Sequence, residues 1–264
     1  MIKKCFSTLG CHDRSLEEVL SLAKKYGISA LEVRGLNGVL DNGEIPYFSL
    51  KQAEETKGLF ASYGVKPLIL GTSCMFHNEA KYKAAICEGR TAIERAGLIG
   101  FKGIRVFGDH IEGNERVCLS RIAEGISRLC SYAELFGIKV YLEVHGEINI
   151  IPRLEQIIEF NKDNAAFGLI WDVCHTRKTH PDWKSFYKRF KPYVEHVHFK
   201  DVTEDGHVIP GEGIMPLREI ADYLVKDGYE GYFSLEWERK WHPELPPIEA
   251  ALDGYISVLE GEKG

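Results

Sequence analysis

The chain has 264 residues, 44% hydrophobic and 27% charged, with a formal net charge of -6. That is enough to bury a substantial core, and the acidic balance argues against a nucleic-acid partner, which usually demands a basic footprint. No apolar run is long enough to span a bilayer, and the opening Met1-Ile-Lys-Lys-Cys-Phe-Ser7 lacks the apolar core of a signal peptide. Seven scattered cysteines, odd in number and without a CxxC pair, fit reduced thiols, so a cytoplasmic protein without a membrane partner is expected.

Taken in order, periodicity and breakers mark eight strand–helix units. Ile2 to Leu9 reads as a strand, and Ser15-Leu-Glu-Glu18 opens a helix with a capping-box pattern that runs to about Tyr26 and stops at Gly27. Strand Ala30–Arg34 is followed by a loop to Pro46 and a helix from about Phe48 to Tyr63. Strand Lys66–Gly71 leads through a loop, Thr72 to Asn78, to a long helix ending near Ile99. Strand Gly103–Phe107 precedes a helix over Glu115–Phe136, and strand Ile138–Glu143 one over Pro152–Asn161. Strand Phe167–Asp172 precedes Trp183–Phe190. Strand Tyr193–Lys200 precedes a Gly-rich loop and a helix over Leu217–Lys226, and strand Tyr232–Glu236 precedes Ile248–Leu259. Regular alternation implies a parallel α/β sheet, and eight units close naturally into a (β/α)8 TIM barrel, a single domain over 1–264. An open doubly wound sheet is the competing architecture.

Four of these strands end on metal-ligand chemistry. Val140-Tyr-Leu-Glu143 ends in a carboxylate, and Gly168-Leu-Ile-Trp-Asp172 in another with His175 three residues on. Val194-Glu-His-Val-His198 ends in an imidazole, and Tyr232-Phe-Ser-Leu-Glu236 in a third carboxylate. Side chains alternate across a strand. His196, His198 and Lys200 therefore share one face, as do Glu143 and His145, and Ser234 and Glu236. The apolar set belongs against the helices, so the polar set points into the barrel. Ionised groups there are costly unless paired or bound to a cation.

Singly, each residue has a blander reading: a strand-end glutamate is usually solvated, and a lone histidine is usually a hydrogen-bonded core group. Their occurrence together at four strand ends favours a shared cation. His175 reads as a second metal ligand, a substrate contact or a loop residue, with substrate contact favoured. His145 and Lys200 serve as substrate contacts or supporting groups, and a buried ion pair of Lys200 with a ligand carboxylate is an equal reading. Glu32 and Arg34 occupy inward positions, where a mutual or neighbouring salt bridge accounts for them. Trp241 could stack on a sugar ring, whereas Trp237 reads as helix-facing core. Cys174 lies between Asp172 and His175, but no independent base is placed for it.

With those residues in view, the chain resembles the sugar phosphate isomerase/epimerase superfamily of xylose isomerase-like TIM barrels. The likeness is carried by Leu142-Glu-Val-His145, Trp171-Asp-Val-Cys-His175, His196-Val-His-Phe-Lys-Asp201, Gly211-Glu-Gly213 and Leu235-Glu236, and by the opening pattern through Glu32-Val-Arg34. The resemblance implies that Glu143, Asp172, His198 and Glu236 ligate one divalent metal, that Glu143 and Glu236 form an acid–base pair, and that His175 touches substrate. Three carboxylates and one imidazole suit Mn²⁺ or Mg²⁺, with Zn²⁺ or Co²⁺ as alternatives. The implied substrate is a small sugar or polyol ketone, deprotonated beside its carbonyl to a metal-stabilised enediolate. Reprotonation gives epimerisation or isomerisation, and loss of a β-hydroxyl gives an inosose-type dehydration. A homo-oligomer is common among proteins of this type.

Two other classes compete. One branch of the superfamily resembles endonuclease IV, an abasic-site nuclease with three zinc ions. Asp205 and His207 fall where that pattern places extra ligands, and His77 and His110 lie near the ends of strands three and four. The other is a non-catalytic sugar-binding relative, against which the complete ligand set argues.

Overall fold

Alternating apolar runs become strands here because each buries one face against helices, and the intervening amphipathic runs supply those helices. The computed structural model describes residues 2–261. Met1 and residues 262–264, the outermost parts of the expected 1–264 domain, lie outside that range. In chain order, β1 (Lys3–Ser7) leads to α1 (Leu16–Lys25), β2 (Ala30–Val33) to α2 (Ala53–Tyr63), and β3 (Lys66–Met75) to α3 (Tyr82–Ile99). Then come β4 (Gly103–Asp109), α4 (Glu115–Ala133), β5 (Lys139–Gly146), α5 (Ile151–Asn161), β6 (Phe167–Asp172), α6 (Val173–Thr179) and α7 (Trp183–Phe190). β7 (Val194–Phe199), β8 (Asp201–Thr203), β9 (Gly206–Val208), α8 (Leu217–Lys226), β10 (Tyr232–Leu235) and α9 (Ile248–Glu260) complete the chain.

The parallel strands close in the order β1-β10-β7-β6-β5-β4-β3-β2, the (β/α)8 barrel expected from the alternation. Helix ends follow local chemistry. Ser15 and Glu18 exchange side-chain and backbone hydrogen bonds in a capping box at the start of α1, and Lys24 and Lys25 sit in its last turn, where cations suit the helix dipole. Its buried stripe, Leu16, Val19, Leu20 and Ala23, joins the continuous apolar shell between strands and helices. Each fully buried leucine or valine of this kind contributes about 1.5–3 kcal/mol, so this outer shell supplies the stability that lets the barrel interior be polar.

Inside, the floor is a small apolar plug of Cys5, Ala30, Ile69, Tyr141 and Ile170. Tyr141 fits because its neighbours on both sides are glycines: a Cβ on Gly103 would sit 2.7 Å from its ring, and one on Gly168 2.9 Å. Above the plug the inward positions turn ionic.

The structure departs from the sequence reading in several places, among them β1, which ends at Ser7 and passes into a 3-10 turn over Thr8–Cys11. Residues 173–179 form α6 rather than a loop, because Asp172 accepts a hydrogen bond from the His175 amide and caps the helix. The Gly-rich connection after β7 contains the antiparallel hairpin β8–β9. β3, β4 and β5 run on to Met75, Asp109 and Gly146, past the expected ends, with register shifts that let β3 and β4 keep pairing and with Asp109 paired to Gly146. α2 begins at Ala53, with Pro46–Phe48 forming a separate 3-10 turn. Among the described residues no helix is long and apolar enough to cross a membrane.

Candidate active site

Strand geometry delivers the four strand-end ligands to one place. Glu143 lies in β5 three residues before its end, Asp172 closes β6, His198 lies near the end of β7, and Glu236 follows β10, with its amide donating to the Phe199 carbonyl at 3.0 Å. Each offers one ligand atom, and these atoms lie within 4.8 Å of one another. All four residues are buried. His198 Nδ1 stands 3.3 Å from Glu143 Oε1 and 3.3 Å from Glu236 Oε2. Its other ring nitrogen, Nε2, lies 2.9 Å from Glu32 Oε2.

That last contact occupies Nε2 and leaves Nδ1 facing Glu143 and Glu236. Glu32 is buried on β2, and its Oε2 also meets His196 Nε2 at 3.3 Å and Ser234 Oγ at 3.3 Å. A carboxylate accepting from one imidazole nitrogen fixes the ring and enriches the other nitrogen. The salt bridge expected for Glu32 therefore runs to histidines and not to Arg34. Arg34 instead donates to Ser73 Oγ and the Leu40 carbonyl, because its side chain leaves the strand across Gly71. Replacing Glu32 by Gln is expected to weaken divalent-metal affinity about 10–100-fold while the barrel stays folded; titration with a fluorescent chelator checks this, and unchanged affinity would remove Glu32 from the site.

Two cations thread the carboxylates. Lys200 Nζ lies 2.9 Å from Asp172 Oδ2 and 2.7 Å from Glu236 Oε2, and it also contacts Glu238. Lys200 thus forms the buried ion pairs that its inward position allowed. Arg105 was not singled out from the sequence, yet its Nη1 stands 2.9 Å from Glu143 Oε2 and 3.5 Å from Glu236 Oε1. Its guanidinium rests 4.2 Å above the Phe107 ring. The available signal was the inward register of Gly103-Ile-Arg105, where a charged side chain has no solvent.

The electrostatics follow. Burial opposes ionisation of Glu143 and the neighbouring Glu236 adds repulsion, but Arg105 and His198 outweigh both and hold its carboxyl below the usual range. Burial likewise opposes ionisation of Glu236, yet His198 and Lys200 hold it well below, and Lys200 does the same for Asp172. Burial disfavours the His198 cation, but Glu236, Glu32 and Glu143 raise its pKa well above normal. All three strand-end carboxylates are therefore anionic at neutral pH.

The residues fit a divalent cation. Five carboxylates (Glu32, Glu143, Asp172, Glu236 and Glu238) meet the side-chain cations Arg34, Arg105 and Lys200, so the site stays acidic even with His198 protonated. Asp172 Oδ2 is buried with the Lys200 ammonium 2.9 Å away. Three carboxylates and one imidazole that can each bring a ligand atom within 4.8 Å of the others are a donor set suited to a divalent cation.

A cavity of about 260 Å³ opens directly above, lined by Glu143, Glu236, Arg105, Lys200, His145 and Trp241 among others. His145 Nδ1 lies 3.2 Å from Asp109 Oδ1. Asp109 holds φ at +63°, an unusual backbone for a non-glycine residue. His175 sits behind His145 with ring centroids 4.2 Å apart, and its Nε2 is 3.9 Å from Asp172 Oδ2. Trp241 is half exposed at the rim, whereas Trp237 is buried and donates to the Pro246 carbonyl. Cys174 is buried, and burial pushes its thiol up to about 12, which leaves it no nucleophilic thiolate. Of the residues that suggested a nuclease, His77 and His110 face each other at 5.5 Å, and His207 lies against His242 instead.

Residues 20–257 match the family model described as xylose isomerase-like TIM barrel. The chain belongs to that family. Fructoselysine 3-epimerase of Escherichia coli O157:H7 is 32% identical over 127 residues, a match covering 46% of this chain and 46% of that protein, under half of the relative's length. Inosose dehydratase of Lactiplantibacillus plantarum is 24% identical over 269 residues, covering 90% of this chain and 86% of the relative. Among solved structures, the IOLI protein with a bound zinc atom superposes with a TM-score of 0.79 at 21% identity over 98% of each chain, a likeness of fold. The relatives of this xylose isomerase-like chain are thus epimerases and dehydratases.

Proposed function

We propose that the protein is a divalent-metal-dependent carbohydrate epimerase or isomerase, acting on a ketose or related polyol ketone. The observation that carries this reading is the placement of Glu143 and Glu236. They come from strands three steps apart around the barrel, flank one cavity, and share the same set of possible ligand atoms. A substrate seated there has an anionic carboxylate on each side.

Glu143, Asp172, His198 and Glu236 would hold the cation, which supplies Lewis-acid polarisation of a ketone and its neighbouring hydroxyl. The chain's own residues do the rest. One glutamate takes the proton from the carbon beside the carbonyl; for inversion the other carboxylate picks up a proton from solvent and returns it from the opposite face, and the first releases its proton to solvent to reset the pair. Arg105, bridging both glutamates from below, keeps them ionised between turnovers. Lys200 orients Asp172 and Glu236. Trp241 offers an apolar face at the rim to the C–H side of a sugar. Three carboxylates with one imidazole favour Mn²⁺ or Mg²⁺, with Zn²⁺ or Co²⁺ as alternatives.

Dehydration is the second reading, and His145 favours it. Burial disfavours the charged form of this imidazole, but Asp109 and Glu143 raise its pKa above normal, so it can protonate a departing β-hydroxyl. The inosose dehydratase relative spanning 90% of the chain points the same way. Metal removal tests the shared core of both readings. Dialysis against a chelator should abolish turnover, and about one equivalent of Mn²⁺ or Mg²⁺ per chain should restore it. Full activity in metal-free protein would defeat both.

A further inference from the structure

Outside the central site, His207, Glu238 and His242 also gather ligand atoms within 4.8 Å of one another. They come from two different loops at the barrel mouth. His207 sits on β9, in a hairpin whose base is fixed by Asp201: its carboxylate accepts from the amides of Val202, Gly211, Gly213 and Met215. Glu238 and His242 lie after β10 on a single helical turn, in which the amides of Trp241 and His242 both donate to the Glu238 carbonyl at 2.9 and 3.0 Å. Positions four apart on such a turn point the same way. Their side chains therefore face His207 together, with the two imidazole rings 5.0 Å apart.

Two further observations point to a ligand. His207 Nδ1 is buried and makes no hydrogen bond, an unfavourable state for a polar atom unless something fills it. His242 Nδ1 lies 3.2 Å from Glu244 Oε1, a carboxylate outside the cluster. A carboxylate holding one imidazole nitrogen leaves the other ready for a metal. Glu238 does contact Lys200, but through Oε1, and Lys200 already has Asp172 and Glu236 as counter-ions. Glu238 Oε2 is left for another cation.

We propose that His207, Glu238 and His242 form a second metal site, for Zn²⁺ or a similarly imidazole-preferring transition ion, that ties the β8–β9 hairpin to the segment after β10. Two imidazoles and one carboxylate match zinc preferences, whereas the inner set is rich in oxygen. Glu238 and Trp241 line the central cavity, so this clip sets the shape of the cavity rim.

The test is a metal count. Chelator-stripped protein is dialysed against buffered low-micromolar Zn²⁺, and bound metal is measured by mass spectrometry. The expected content is about two zinc ions per chain in the wild type and about one in His207→Ala and in His242→Ala. The double variant Glu143→Gln/His198→Gln, which removes two inner ligands and leaves Asp172 and Glu236 on Lys200, should keep about one; this separates failure of the outer site from failure of the proposed activity. Glu244→Gln keeps all three ligands and lies on the surface, so it is safe for folding, and it should weaken the outer zinc about 10–100-fold. One zinc per wild-type chain with none in the double variant would overturn the proposal. So would two zincs retained in either histidine variant.

Discussion

Glu143→Gln and Glu236→Gln are each expected to lower kcat by at least about 10²–10⁴-fold, the usual worth of a positioned acid or base, with the barrel intact by circular dichroism. The amide keeps the shape and one oxygen but can neither accept the proton from carbon nor carry the charge that the site is built around. Both residues also belong to the proposed metal set, so the losses should not add in the double variant. The apolar shell and the other ion pairs are untouched, which is why folding should survive. Near-normal turnover in either variant would remove that residue from acid–base duty.

Arg105→Met is expected to have the second-largest effect. It removes a buried cation that contacts both glutamates, and breaking such a pair typically costs about 3–5 kcal/mol. Arg105, Glu143 and Glu236 are all nearly inaccessible to water, so solvent screening does not reduce that figure much. The pH dependence has a definite sign. Arg105 depresses both carboxyls, and a depressed carboxyl contributes stability that is present above its unfolded pKa and lost as pH falls through its folded one. In Arg105→Met both pKa values rise, so acid unfolding and the acid limb of the rate profile should move to higher pH. Urea unfolding and a pH–rate profile check this; an unshifted acid limb would show that Arg105 does not control the glutamates.

The inward faces were legible in the sequence because period-two alternation fixes which face a side chain takes: Glu143, Asp172 and Glu236 each follow an apolar run and His198 shares a face with His196, although β5 carries on past Glu143 to Gly146. The helices were legible from caps and breakers such as Ser15 and Gly27. Contacts that depend on closure of the barrel were not. Glu32 reaches His198 across 166 residues of sequence, and β2 alone says nothing of that neighbour. Arg105 was overlooked because an arginine within a strand usually reaches solvent, and only the closed ring of strands denies it that route. The helix α6 was overlooked because its cap, Asp172, reads equally well as a ligand; it offers Oδ1 to the His175 amide and keeps Oδ2 for the centre. The β8–β9 hairpin depends on Asp201 gathering amides from ten to fourteen residues onward, beyond the range of local turn signals.

The most direct test of the account is solvent exchange at carbon. The protein, loaded with Mg²⁺ or Mn²⁺, is incubated in D₂O with a panel of ketoses and inososes. Products are read by NMR for Mg²⁺ and by mass spectrometry after metal removal for Mn²⁺. The account predicts metal-dependent deuterium incorporation at the carbon beside the ketone, abolished in Glu143→Gln and Glu236→Gln. The labelled position and product would then divide epimerase from isomerase and dehydratase. Turnover of any of these substrates without deuterium incorporation, or incorporation that persists in metal-free protein, would contradict it.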